Sequence, residues 1–217
     1  LNSGSYAGSI VDNATFIYSS SATQTLSGVI SGTGALTKDT DTSSVLTLSN
    51  TNTYTGVTTI NAGTISVGTI GDGGIAGNLG QATNASTNIV LGGGTLKYTG
   101  STATSDRAFT ITAGTTGTID VPTGVTLTLA GATGTTTTGA LTKTNSGTLN
   151  LSGVNTYTGT TTISAGTLAI TGSGSLNSGS YAGSIVDNAT FIYSSSATQT
   201  LSGVISGTGA LTKDTDT

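Results

Sequence analysis

The chain has 217 residues with a formal net charge of −4. It contains 34 Gly and one Pro but no Cys, Met, Trp or His, and only 6% of its residues are charged. Five cations spread along the chain leave no footprint for nucleic acid, and no apolar run approaches the ~18 residues of a membrane helix. All 9 acids are Asp, so the paired carboxylates of a hydrolase are scarce, and Thr, Val, Ile, Gly and Asn point to strands and turns. A disordered linker is the competing reading. It is disfavoured by a mean hydropathy of +0.15 and by apolar residues that alternate instead of scattering.

The chain opens with a 42-residue segment, residues 1–42, that returns letter for letter as residues 176–217 and so defines a 175-residue tandem unit. Within it, GALTK (34–38) leads to Asp39 and Asp41. Next come Leu46 and Leu48 on one side of a strand, a corner NTYTG (52–56) with Asn52 and Tyr54, and a strand with Ile65 and Val67. The stretch GDGGIAGNLG (71–80) reads as a long corner loop carrying Asp72 alone. Alternating pairs follow: Ile89/Leu91, Phe109/Ile111, Ile119/Val121, Leu127/Leu129, Leu149/Leu151 and Leu168/Ile170. GALTK recurs at 139–143 and 209–213, and NTYTG at 155–159 with Asn155 and Tyr157. Period-two alternation predicts strands with one buried face, each about five residues long and ending at Gly, Asn or Ser.

Short strands, regular turns and internal echoes favour stacked coils over a closed sandwich. An immunoglobulin-like sandwich would need hairpins and would not explain why GTLNLSG (147–153) returns so soon as GTLAITG (166–172). The expected architecture is all-β: one continuous parallel β-solenoid over residues 1–217. Its inward positions include Leu46, Leu48, Ile65, Val67, Leu127, Leu129, Leu149, Leu151, Leu168 and Ile170. Coils of about 18–25 residues give about eight turns and roughly 38 Å per unit. A rival count takes the GALTK offsets as coils of about 35 residues and gives five turns, roughly 24 Å. Residues 1–42 and 176–217 are expected to share one conformation, related by a translation along the axis with at most a small twist.

At GALTKTNSGTLNLSGVNTYTGTTTISAGTLAITG, residues 139–172, the chain resembles the autotransporter-associated β-strand repeat of bacterial passenger domains and giant surface adhesins. Residues 34–68 match more loosely, and 69–138 depart from the pattern. The resemblance implies a right-handed parallel β-helix exported to the bacterial cell surface. It implies a stalk or display scaffold and no enzymatic activity. It carries over no catalytic residue and no cofactor.

Candidate sites are few. Asp39 and Asp41, and their copies Asp214 and Asp216, are weak calcium candidates, since two carboxylates at i, i+2 can share a turn; the plainer reading is a solvated turn. Asp106–Arg107 reads as an exposed pair, and Lys38, Lys143 and Lys213 as solubilising charges. Tyr54 and Tyr157 read as lids over the apolar column, with sugar stacking as the alternative. Asn52 and Asn155 read as turn residues. Thr-rich strands raise ice binding, but their positions drift. Two functions remain: a structural segment of a long extracellular fibre built from tandem units, or a glycan- or host-protein-binding module. The expected partners are further copies of the same repeat, with lateral self-association or a glycan or host surface as alternatives. Because residue 1 is Leu and neither end shows a cap, the chain reads as an internal piece of a longer array.

Overall fold

The computed structural model describes residues 2–134 and 136–214. The chain winds as a parallel β-solenoid with three faces, and its described residues contain only three single-turn 3-10 segments and no α-helix. The first face is one ten-stranded sheet running Ser5–Tyr6, Gln24–Leu26, Val45–Leu48, Thr64–Val67, Thr95–Tyr98, Thr116–Asp120, Ala140–Thr144, Thr161–Ile163, Ile185–Asp187 and Ile205–Ser206. Ten strands mean nine coil-to-coil steps, and every pairing between strands is parallel.

The chain visits the three faces in turn. The second face holds Ile10–Val11 and Ile30–Ser31, then the corner at Asn52. Its six-stranded sheet follows, from Ala103–Ser105 through Thr126–Leu129, Thr148–Leu151, Thr167–Ile170 and Thr190–Tyr193 to Ala210–Lys213. The third face holds the five-stranded sheet from Thr15–Tyr18 to Thr110–Ile111. It continues through the Thr137–Tyr157 bridge to Ser180–Tyr181 and Thr200–Leu201.

Period two decides what lies inside. On the second face Leu127, Leu149, Leu168, Phe191 and Leu211 stack in one inward column. Leu129, Leu151, Ile170 and Tyr193 form the next. All ten inward positions read from the alternation lie in the core, none more than 4% exposed. Each such side chain contributes about 1.5–3 kcal/mol on burial. Strands run from two to five residues, shorter than the alternation alone suggests. Corners need glycine: Gly166 has φ 71, and a Cβ there would lie 2.3 Å from the Gly147 carbonyl oxygen of the coil beneath. The Gly-Thr-Leu triplet is thus a corner followed by a strand.

Coil length varies more widely than the sequence echoes suggest. Val45 pairs Thr64 after a short coil, but Thr64 pairs Thr95 only after a much longer one. The extra length is a loop at residues 69–88, which replaces a strand on the second face. Five coils per unit is excluded by the pairing, and eight is close but not the value found.

The two 42-residue copies share their local registers. Ser5 pairs Thr25 as Ser180 pairs Thr200, and Thr15 pairs Ala35 as Thr190 pairs Ala210. They do not share faces. Ser5–Tyr6 lies on the first face and Ser180–Tyr181 on the third; Thr15–Tyr18 lies on the third and Thr190–Tyr193 on the second. A translation therefore does not relate them, contrary to the expectation from sequence. The reason is that each face makes the same demand, an alternating strand of similar length, so a strand sequence is not tied to one of them.

Candidate functional site

The GALTK turn is organised around its lysine. In ALTK, Leu36 and Lys38 point the same way, so Lys38 lies inside, between Tyr18 and Ile60 in an inward column. Lys38 and Lys143 are both 0% exposed, which overturns their reading as solubilising surface charges. The Lys38 Nζ donates to the carbonyls of Asp39 (3.1 Å) and Thr40 (2.7 Å) and lies 5.7 Å from the Tyr18 ring centroid. Lys143 donates to Thr144 and Asn145 (both 2.7 Å) and to Ala165 of the next coil (3.3 Å). Each ammonium thus replaces water for carbonyls that the left-handed residues Thr40, Asp41 and Asn145 turn inward. Burial lowers both lysine pKa values, that of Lys143 to about 8, while Asp41 and Asp39, or Asp120, work in the opposite direction.

The calcium candidates belong to this same turn. Asp39 Oδ1 accepts the Thr40 N–H, and Asp41 Oδ1 accepts both the Ser43 N–H (2.7 Å) and the Ser43 hydroxyl (2.6 Å). Those bonds hold the Asp41 carboxyl below the usual carboxylate range. The turn's carbonyls already face an ammonium, so the two carboxylates serve as turn-forming acceptors. In the second copy Lys213 Nζ donates to the Asp214 carbonyl; Asp216 lies outside the described residues. Among the described residues no three of His, Cys, Asp or Glu stand together.

The NTYTG corners lie inside. Asn52 accepts the Ile30 N–H and donates to the Asn78 carbonyl, tying three coils together. Asn155 donates to the carbonyls of Gly153 and Ser175. Tyr54 and Tyr157 are buried, with hydroxyls 2.7 Å from Thr58 Oγ1 and 3.0 Å from Thr161 Oγ1. Tyr157 also meets the Tyr181 ring edge-on at 5.9 Å. Burial raises both tyrosine pKa values, that of Tyr54 to about 12. These rings cover the apolar column and offer no face to a sugar. A cleft beside Tyr157, lined by Phe109, Thr110 and Thr133 among others, has no room for a water-sized sphere.

Among the described residues, the coil with the long loop departs furthest from the regular pattern. Its loop, residues 69–88, is pinned by Asp106 and Arg107 from the coil that follows. Arg107 is 1% exposed, not a surface charge as its sequence neighbours suggested. Its guanidinium donates to the carbonyls of Gly80 (2.9 Å) and Ala82 (3.2 Å). Burial lowers its pKa, with Tyr54, Asp106 and Asp72 acting in the opposite direction. The Asp106 carboxylate accepts the Gly73 N–H (2.7 Å) and the Asn84 side-chain amide (2.9 Å), and Asp72 accepts the Asp106 N–H. Asn78 closes the other side, accepting the Gly68 and Thr69 N–H groups. Within the loop Ile75 stands 61% exposed, comparable with Val11 (72%) and Val204 (68%) on regular coils. No pair of groups here is arranged as nucleophile and base; the charged side chains are engaged by backbone groups and by the Asn84 amide.

Two comparisons bear on this arrangement. Residues 43–67 and 141–170 match the passenger-associated-transport-repeat family. These two stretches are similar to autotransporter passenger repeats. Over 120 residues, 54% of its length, it is 49% identical to the adhesin BmaC autotransporter of Brucella suis biovar 1 (strain 1330). The chain spans 3% of that relative's length. No solved structure matches the chain. Equivalent strands of the two matched stretches lie on different faces: Val45–Leu48 is on the first face, and its counterpart Thr148–Leu151 on the second. The repeat is therefore a run of strands and corners that fits any face. Over the matched stretches the chain is thus similar to a segment of an adhesin autotransporter.

Proposed function

We propose that the chain is a non-enzymatic segment of a long extracellular fibre or stalk, built from tandem 175-residue solenoid units on a bacterial surface. The observation that carries this reading is the ten-stranded parallel sheet, which spans both copies of the 42-residue repeat without changing its pairing pattern. A stack of this kind stiffens a fibre and spaces what it carries. Its partners are further copies of its own repeat along the fibre. Shortening the parent protein by whole units should weaken cell adhesion in proportion to lost reach, while the isolated chain should neither bind host cells nor compete with the parent. Competition by the isolated chain at micromolar concentration would contradict the stalk reading.

One observation favours a second reading, a contact site for a glycan or host protein. The 69–88 loop is held by a buried arginine and presents Ile75 to solvent. If this loop makes the contact, Ile75→Asp abolishes binding of the parent protein to host cells without lowering its melting temperature. If the chain is stalk alone, the substitution leaves binding unchanged.

A further inference from the structure

We infer that successive 175-residue units are turned by one face about the fibre axis, so that the 69–88 loop is displayed on all three sides of a tandem array. The two copies of the repeat occupy different faces, and the difference can be counted. Taking first, second and third face in turn, Ser5–Tyr6 takes the first position and Ser180–Tyr181 the twenty-fourth, an advance of 23 thirds of a coil. One unit is therefore seven and two-thirds coils.

The register gives the same result by an independent route. Followed along the first face, Ser5 leads to Thr25, Thr47, Ser66, Lys97, Asp120 and Thr144. Two further steps, set by Lys143 with Ile163 and Ile163 with Asp187, reach the strand of Ile185–Asp187. Eight full coils thus end beyond Ser180, the copy of Ser5, by one strand position. The three GALTK strands agree: Ala35–Lys38 lies on the third face, Ala140–Thr144 on the first and Ala210–Lys213 on the second.

Twenty-three is not a multiple of three, so a second identical unit begins one face away from the first, and a third unit one face further. Three units return to the starting face. With strands ~4.8 Å apart, a unit rises about 37 Å and the full cycle about 110 Å. Everything that occurs once per unit, the 69–88 loop and Ile75 foremost, then follows a sparse helix around the fibre. A fibre of three units or more has no side that lacks the loop. No single face can bury every loop, so two such fibres cannot join side by side through one face while hiding all of them.

The phase is testable in the 217-residue chain with pairs of outward positions. In the structure Thr162 is the cross-strand neighbour of Val186, and Thr167 of Thr190. A unit of eight whole coils would instead place Ser180 over Ser164. Three double-cysteine variants, Thr162→Cys with Val186→Cys, Thr167→Cys with Thr190→Cys, and Ser164→Cys with Ser180→Cys, are oxidised with copper phenanthroline and mapped by peptide mass spectrometry. The expected result is near-complete intrachain disulfide in the first two and none in the third. Disulfide in the third with none in the first two would overturn the inference. The first two pairs lie on different faces, so each reads the phase separately.

Discussion

Lys143 stands in a column among aliphatic side chains. In its inward column it follows Leu96 and Ile119 and precedes Ile163. Three backbone carbonyls satisfy its ammonium, so removing the charge leaves buried acceptors without a donor, at about 1–3 kcal/mol. Lys143→Met should therefore lower stability by roughly that amount, measured by urea denaturation. The pH dependence carries a sign. With a folded pKa near 8 against 10.5 for the free group, the unfolded state binds more protons between those values, so stability rises with pH above about 8. Lys38 acts in the same sense. Tyr54 acts in the opposite one: its folded pKa of about 12 exceeds its free value of 10.0, so its contribution is lost as pH climbs from 10 through 12. The wild-type chain should be most stable near the crossover, and the rise on the alkaline side of neutrality should shrink in Lys143→Met while the later fall persists. A rise of the same size in the variant would remove Lys143 from this account.

At the scale of the strand and its corner, inside and outside separate sharply. Leu149→Ala should cost about 2–5 kcal/mol, whereas Thr148→Ala beside it should stay within about 0.5 kcal/mol; comparable losses at both sites would mean the period-two assignment is wrong. At the corner, a Cβ on Gly159 would lie 2.4 Å from the Gly139 carbonyl oxygen, so Gly159→Ala should destabilise by about 1–3 kcal/mol. The loop is a separable element. Arg107→Gln should release amide protection at Gly73, Gly74 and Gly80 in hydrogen exchange while the ten-stranded sheet stays protected. Loss of protection throughout would show that the loop and the stack open together. Much of this was legible in the sequence. Alternation named Leu46 through Ile170 as inward; applied to ALTK it also puts Lys38 on the side of Leu36, but its charge led to its reading as a surface lysine. Nothing local marks Arg107 as buried, because the carbonyls it meets come from Gly80 and Ala82, a full coil earlier. The long coil between Thr64 and Thr95 was hidden for a similar reason: glycines at 71, 73 and 74 signal a turn but not how far the chain travels before rejoining the third face.

For the whole molecule, the sequence revealed the period but not the phase. Identical letters suggested identical placement. Three faces with the same requirement allow an advance that is not a whole number of coils, and only strand pairing reveals it. The exposed ends illustrate what a neighbouring coil supplies. Ile30 and Leu36 are each 1% exposed, whereas their copies Ile205 and Leu211 in the last described coil are 40% and 52% exposed. A coil continuing with the sequence of residues 43–60 would cover them as it does in the first copy. The central claim is that every coil adds the same rise however many residues it holds. The outward ladder Val45, Thr64, Thr95, Thr118, Thr142, Thr162 and Val186 makes this measurable. Spin labels on Val45→Cys paired with cysteine at Thr118, Thr142, Thr162 or Val186 give distances by pulsed electron paramagnetic resonance. The account predicts equal increments of about 4.8 Å per coil, about 14 Å at Thr118 and about 29 Å at Val186, so that the three coils from Val45 to Thr118, the long one among them, add no more than the three from Thr118 to Val186. Distances that grow unevenly, or that fall as the sequence separation rises, would contradict a single parallel stack.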